Sequence, residues 1–140
     1  MTPPPRVLDT NVLLSRLLMA DSVSGRAARH AVDTGLLLVS DATLDELVDV
    51  LARPKFDPYV TLEERQEFLQ HLLRIAERVP ILRQIQACRD PRDDKFLDVA
   101  VNGQAGVIIT GDRDLPALHP FRSIPILTPA DYLAQVEQNR

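Results

Sequence analysis

The sequence predicts a three-layer α/β/α fold with a central, mainly parallel sheet, and three observations lead to this prediction. Short apolar segments alternate along the chain with longer segments whose apolar residues recur at helical spacing. The short segments are continuously apolar, which is typical of parallel strands that are covered by helices on both faces. No linker, low-complexity segment or internal repeat divides the 140 residues, so we expect one domain over residues 1–140.

The N-terminal half is predicted to hold two strands and four helices. The two strands are apolar runs, one after three prolines and one after Gly35, which ends the preceding helix. The helices carry apolar residues at intervals of three and four, and a capping box formed by Thr61 and Glu64 opens the fourth. In chain order, the predicted elements are a strand at 6–8, helices at 11–20 and 22–34, a strand at 36–39, and helices at 42–52 and 61–79.

The C-terminal half is predicted to continue the alternation. The clearest strand of the chain is the segment GVIIT, and Thr128 with Pro129 begins the last helix, because proline is favoured in a first helical turn. In chain order, the predicted elements are a weak strand at 79–82, a helix at 94–102, a strand at 106–110, a helical turn at 115–118, a strand at 124–127 and a C-terminal helix from 128.

The composition excludes several classes of protein. Apolar residues make up 45% and charged residues 26%, which is typical of a globular chain and not of a disordered one. A net charge of −4 argues against a nucleic-acid binder with an overall basic surface, although a local basic patch remains possible. No apolar run is long enough to span a bilayer, and the N-terminus lacks a signal-peptide segment, so a cytoplasmic protein is expected.

Cysteine and histidine offer no metal-binding pattern. Cys88 is the single cysteine, so it has no internal disulfide partner and cannot build a thiolate zinc site by itself. His30, His71 and His119 are scattered along the chain. The acidic residues are more informative, because fourteen of the twenty are Asp, a residue that favours caps, turns and metal sites over helix interiors.

Several acidic residues fall where a parallel sheet would gather them, since ligands of such sheets bind at the carboxyl ends of the strands. Carboxylates brought together there repel one another unless a cation neutralises them, and all-oxygen ligands suit Mg²⁺ or Mn²⁺. Ions held in this way promote hydrolysis of phosphodiesters. The acids are Asp9 after the first strand, Glu46 in the helix after the second, Asp94 and Asp98 on one face of a helix, and Asp112 and Asp114 after the strand at 106–110.

Each of these acids also has an ordinary structural explanation. Short polar side chains commonly cap helices or hold turns, and a Thr-x-x-Glu pattern is typical of a capping box. The alternatives are a helix cap for Asp9 and for Asp93 or Asp94, a turn for Asp112, and a capping box with Thr43 for Glu46.

Five segments in this order resemble the PIN-domain ribonucleases, in particular the VapC-like toxins of bacterial toxin–antitoxin pairs. They are LDTNVLLSRLL, SDATLDELVDVLARPKF, CRDPRDDKFLDVAV, TGDRDL and IPILTPADYL, and together they extend over nearly the whole chain. A lone DTN or GD would be a weak signal, whereas the ordered set on matching secondary structure is specific. The resemblance implies a PIN-like version of the predicted fold.

The resemblance also implies a set of site residues. The family's metal-binding and catalytic acids correspond to Asp9, Glu46, Asp94 and Asp112, with Asp114 as a ligand through water and Asp98 as a further supporting acid. Asn11 and Thr110 match small polar positions that support the acids by hydrogen bonds. Asp94 is preferred over Asp93 because its helical register turns Phe96, Leu97 and Ala100 inward, and Asp94→Asn is accordingly expected to abolish cleavage.

The activity implied by the resemblance is metal-dependent endoribonuclease activity. RNA phosphodiester bonds would be hydrolysed by a water activated by Mg²⁺ or Mn²⁺, without a covalent enzyme intermediate. The implied partners are an RNA substrate, a cognate antitoxin and a second copy of the chain in a homodimer. Basic residues beside the acidic segments are candidates for holding phosphates: Arg89, Arg92, Lys95 and Arg113.

Two other functions compete with this hypothesis. A catalytically silent PIN-like module would bind RNA or protein, and the presence of all four family acids argues against it. A phosphohydrolase of the haloacid dehalogenase type also begins with an Asp at a strand end. That class needs a second Asp where this sequence has Asn11, and neither Lys55 nor Lys95 is well placed for its strand-end lysine.

Overall fold

Five parallel strands form the central sheet of the computed structural model, which describes residues 3–138. The strands lie in the order β3-β2-β1-β4-β5, and each neighbouring pair is parallel. The prediction of a mainly parallel sheet is therefore confirmed. The strands are β1 (Pro5–Leu8), β2 (Leu36–Val39), β3 (Glu77–Arg78), β4 (Val107–Ile109) and β5 (Ile126–Leu127).

Six α-helices accompany the sheet in this part of the chain, and most begin or end within two residues of their predicted limits. None of the described helices is long and apolar enough to cross a membrane. A 3₁₀ turn at Leu115–Leu118 matches the predicted helical turn. The helices are α1 (Thr10–Leu18), α2 (Val23–Thr34), α3 (Asp41–Leu51), α4 (Leu62–Ile75), α5 (Asp94–Asn102) and α6 (Pro129–Gln138).

Strand residues alternate between two apolar cores, which gives the three layers. Val7 and Ile108 point to the core under α5, whereas their neighbours Leu8 and Ile109 point to the core under α1, α2, α3, α4 and α6. All four are at most 3% exposed. Because both faces of each strand are buried, a continuously apolar sequence is what such a strand requires. The predicted three-layer arrangement is confirmed.

The region between α4 and β3 departs from the prediction. The helix predicted at 61–79 ends at Ile75, since Ala76 adopts extended backbone and Glu77–Arg78 pair with β2. The strand predicted at 79–82 is therefore displaced toward the N-terminus. Its last ladder bond runs from the Val79 N–H to the Val39 carbonyl, and Pro80, which has no N–H, ends the pairing.

The residue at which α3 begins determines whether Glu46 is part of a capping box. Ser40 is the N-cap, and its side chain and that of Thr43 form a reciprocal capping box. The alternative capping box between Thr43 and Glu46 does not form, because Thr43 already occupies the third helical position. Glu46 therefore lies in the second turn of the helix, with a carboxylate that no cap uses.

The strand order places a topological switch point between β1 and β4. The chain moves from β1 to β2 on one side and from β4 to β5 on the other, so the connections diverge at this pair. Such divergence leaves a crevice at the carboxyl ends of the two strands. Asp9 directly follows β1, and Asp112 follows β4 by three residues.

Candidate active site

A cavity of about 320 Å³ opens at the carboxyl ends of β1 and β4. Four carboxylates from four separate segments line it, namely Asp9, Glu46, Asp93 and Asp112. The structure thus brings together three of the four acids that the sequence analysis placed in the site, with Asp93 in the position expected for Asp94. The remaining wall is formed by Thr10, Asn11, Val50, Arg53, Phe96 and Gly111.

Asp9 is fixed in the cavity wall by three hydrogen bonds. Its Oδ1 accepts from the Val12 N–H at 2.8 Å, which caps α1. Its Oδ2 accepts from the Thr110 hydroxyl at 2.6 Å and the Gly111 N–H at 3.0 Å. Burial raises the pKa of the carboxyl, although the three hydrogen bonds act to lower it. The Asp9 side chain therefore both caps α1 and lines the cavity.

Thr110 connects the acids that follow the two strands. It is completely buried, donates its hydroxyl to Asp9 and accepts from the Asp112 N–H at 2.9 Å. The Oδ1 of Asp112 accepts in turn from the Asp114 N–H at 2.7 Å, so Asp112 does hold a turn. Asp114 is exposed and takes part through this backbone group.

Glu46 reaches the cavity from α3, and both of its oxygens have partners. Oε1 accepts from the Lys95 ammonium at 2.8 Å, and Oε2 accepts from the Thr10 hydroxyl. The Glu46 and Lys95 side chains are 29% and 21% exposed. Glu46 and Val50 line the same cavity because residues four apart share a face of α3, and Arg53 lines it from just beyond the end of this helix.

Asp93 occupies the N-cap position of α5, but its side chain makes no capping hydrogen bond. Its carboxyl faces the other acids of the cavity. Partial burial raises its pKa to about 6, reinforced by a hydrogen bond to Asp112 and by the charges of Asp112, Asp90 and Glu46. Burial and the neighbouring carboxylates together thus favour the protonated form of Asp93.

Asp94 and Asp98 do not line this cavity, so the acid found there is Asp93 and not Asp94, which the sequence analysis preferred. Asp94 accepts from the Ala87 and Cys88 N–H groups at 3.1 and 2.8 Å, and Asp98 accepts from the Ile85 N–H at 2.6 Å. They share a helix face, as expected, but this face is the one that holds the preceding loop. One position along a helix is a rotation of about 100°, which separates Asp94 from Asp93.

The four basic residues predicted to hold phosphates differ in their exposure and in their ion pairs. Arg92 is exposed and paired with Asp90 at 2.9 Å, and Lys95 is paired with Glu46. Arg89 and Arg113 are exposed. The basic residue that lines the cavity is Arg53, which the sequence analysis did not select. Arg53 lies two residues beyond the end of α3 with extended backbone, so helical periodicity does not predict its position.

The donor chemistry of the cavity fits a hard divalent cation. Four carboxylates supply only oxygen atoms, and a cation would relieve the repulsion that, after burial, also raises the pKa of Asp93. In the arrangement described for residues 3–138, however, no three acidic, histidine or cysteine side chains converge on one metal-binding point. Glu46 in particular is turned toward Thr10 and Lys95, so side-chain rotation has to precede chelation.

The raised pKa of Asp93 predicts a pH-dependent loss of stability. The Asp93 carboxyl binds a proton more tightly in the folded chain than in the unfolded chain, so proton binding stabilises the fold. This stabilisation is present below about pH 4 and is lost as the pH rises through about 6. In EDTA, Asp93→Asn is expected to exceed the wild type in unfolding free energy by roughly 1 kcal/mol at about pH 8, allowing for solvent screening. Urea denaturation at about pH 4 and about pH 8 measures this difference. A difference that is the same at both pH values contradicts the assignment.

A family model supplies the first comparison with known proteins. The model described as "PIN domain" matches residues 6–114, a range that includes all four cavity acids. The uncharacterized protein MJ1680 of Methanocaldococcus jannaschii is 26% identical over 145 residues, which cover 94% of this chain and 91% of that protein.

Two solved structures share the fold. VapBC2 from Rickettsia felis, determined bound to a DNA fragment from their promoter, aligns with a TM-score of 0.59 at 11% identity and covers 89% of this chain and 98% of its own. PAE2754 from Pyrobaculum aerophilum aligns with a TM-score of 0.59 at 16% identity and covers 96% of this chain and 90% of its own. These structures have the same α/β architecture around their sheets.

Proposed function

The chain belongs to the PIN domain family, and on this premise we propose that it is a metal-dependent endoribonuclease that hydrolyses RNA phosphodiester bonds. PIN domains are generally nucleases. The observation that carries the proposal is the meeting of Asp9, Glu46, Asp93 and Asp112 around one cavity at the switch point of the sheet. Acids from four distant segments do not need to meet for the fold to be capped and closed.

We assign Asp9, Asp93 and Asp112 as the main ligands of Mg²⁺ or Mn²⁺, with Glu46 as a further ligand or as the group that orients the attacking water. When bound, the cation polarises the phosphodiester, lowers the pKa of a bound water and stabilises the departing oxygen. Asp94, Asp98 and Asp114 are not in this assignment, because the first two hold a loop and the third is exposed.

The surrounding residues orient these acids. Thr110 and Gly111 hold Oδ2 of Asp9, and Val12 holds Oδ1, so three of the roughly four lone-pair sites of the carboxylate are used in the described structure. These three hydrogen bonds fix the direction of the remaining lone-pair site of Asp9. Val50 and Phe96 form the apolar part of the cavity wall. A carboxylate fixed in this way needs little reorganisation when the substrate arrives.

Arg53 is the residue that we assign to the first contact with the RNA backbone. It lines the acidic cavity, and its ion pair with Asp49 is 3.8 Å long, with both side chains more than half exposed. Exposed pairs of this kind are weak, so the guanidinium is available for bidentate contact with a phosphate. Arg89 and Arg113 remain candidates for outer phosphate contacts, whereas Arg92 and Lys95 are engaged with acids.

Cleavage of a mixed-sequence single-stranded RNA by the purified protein tests the proposed function. Cuts are expected with Mn²⁺ or Mg²⁺, and excess EDTA is expected to remove them. Single-stranded DNA of the same sequence serves as the matched substrate, since preference for RNA is part of the proposal. Calorimetric binding of Mn²⁺ without cleavage of any RNA tried would contradict the nuclease proposal and favour a catalytically silent binding module.

We also propose that the protein is the toxin of a toxin–antitoxin pair, active as a homodimer that a cognate antitoxin restrains. The support is the shared fold with VapBC2, whose structure was determined on promoter DNA. An in-cell version of the cleavage experiment tests the toxic activity: induction of the wild type is expected to arrest growth of a bacterial host, and induction of Asp93→Asn is not. Arrest by both proteins would contradict a toxic nuclease activity at this site.

A further inference from the structure

Lys95 forms an ion pair with Glu46 that stands out by its position. The 2.8 Å contact joins two side chains that are each less than 30% exposed. In every other salt bridge of the described residues, at least one partner is more than half exposed. We propose that Lys95 is an internal counter-ion that competes with a divalent cation for Glu46. This inference rests on the proposed metal site.

The charge balance of the cavity supports this role. Four carboxylates line it, and within residues 3–138 the Lys95 ammonium is the one cation that makes a salt bridge to any of them. Arg53 lines the cavity but pairs with Asp49, outside the set of four. Lys95 thus lowers the negative charge that attracts a cation, and it occupies an oxygen that a cation needs.

The surroundings of Lys95 allow the pair to open. Lys95 does not line the acidic cavity but an adjacent depression, which it shares with Asp94 and Asp98. It reaches Glu46 from that side, and the depression that it lines also contains the Asp94 and Asp98 carboxylates. The second oxygen of Glu46 accepts from the Thr10 hydroxyl, which is neutral and therefore does not repel an incoming cation. Binding of a cation and opening of the pair are therefore linked.

Calorimetric titration of Mn²⁺ into metal-free protein tests the proposal without requiring catalysis. Lys95→Met, which keeps the length of the side chain but removes its charge, is expected to bind Mn²⁺ on the order of tenfold more tightly than the wild type. Its metal-free melting temperature is expected to fall, and the rise in melting temperature on adding Mn²⁺ is expected to be larger than in the wild type.

Lys55→Met is the matched control, because it changes the net charge of the chain equally. Lys55 is exposed, lies over the Phe56 ring and does not line the acidic cavity, so this variant is expected to bind Mn²⁺ like the wild type. Lys95→Arg, which keeps the positive charge, is expected to bind no more tightly than the wild type. If Lys95→Met does not fold, the neutral variant Lys95→Gln carries the same expectation of tighter binding.

The outcomes separate this inference from the proposed function. Wild-type protein that binds no Mn²⁺ would overturn the metal site and the inference together. Wild-type protein that binds Mn²⁺, with Lys95→Met binding equally or more weakly, would overturn the counter-ion alone, and weaker binding would make Lys95 a residue that orients Glu46. An equal gain in affinity in Lys55→Met would also overturn the inference, because the effect would then come from net charge.

Discussion

Asp93→Asn is expected to lower the rate of metal-dependent RNA cleavage by two to three orders of magnitude or more, since a metal ligand supplies several kcal/mol of transition-state stabilisation. The substitution keeps the size of the side chain and removes the charge that Asp112, Asp90 and Glu46 oppose. The folded state is therefore expected to remain intact at neutral pH. Initial rates on a single-stranded RNA with saturating Mn²⁺, together with a urea denaturation curve, measure both effects.

Asp94→Asn is the matched control for this variant, one residue along the same helix. An Asn oxygen still accepts from the Ala87 and Cys88 N–H groups, so the loop remains attached, with hydrogen bonds weakened by the loss of charge. Cleavage is expected to stay within roughly threefold of the wild type, because the side chain lies outside the cavity. A folded Asp94→Asn protein without activity, beside an active Asp93→Asn, would reverse the assignment and restore the preference drawn from sequence.

Thr110→Val is expected to weaken Mn²⁺ binding by roughly 10- to 100-fold and to cost about 2 kcal/mol of unfolding free energy. The variant removes the hydroxyl that donates to Asp9 and accepts from the Asp112 N–H, at a position with no exposed surface. Two polar groups of the cavity wall then lose a partner, and the Asp9 carboxylate loses one of its constraints. Calorimetry with Mn²⁺ and urea denaturation in EDTA measure the two effects separately.

Thr110→Ser provides the control, because it keeps the hydroxyl and removes only a methyl group. Mn²⁺ affinity is expected to return to near the wild-type value, while part of the stability loss remains from the deleted methyl. If Thr110→Val loses stability but binds Mn²⁺ as tightly as the wild type, Thr110 acts on the fold alone and does not position the acids.

The layers of this fold were predictable because burial on both faces leaves a direct mark on composition. The buried residues Val7 and Leu8 of β1 and Ile108 and Ile109 of β4 alternate between two cores, so all four have to be apolar. Local chemistry also fixed several helix ends, as at Thr61 and Glu64, whose capping box depends on residues three apart. Element ends that depend on distant partners were harder: α4 ends early because Glu77–Arg78 pair with β2.

Sequence by itself determined the parallel three-layer architecture, the order of the motifs, and the placement of Asp9, Glu46 and Asp112 near one edge of the sheet. These follow from periodicity and from the rule that parallel strands share a carboxyl edge. Only the tertiary structure places Asp93 in the cavity and Asp94 outside it, because the loop at residues 87–88 donates hydrogen bonds to Asp94. It also decided the pairing of Lys95 with Glu46, which lie 49 residues apart on separate helices and meet only because α3 packs near α5.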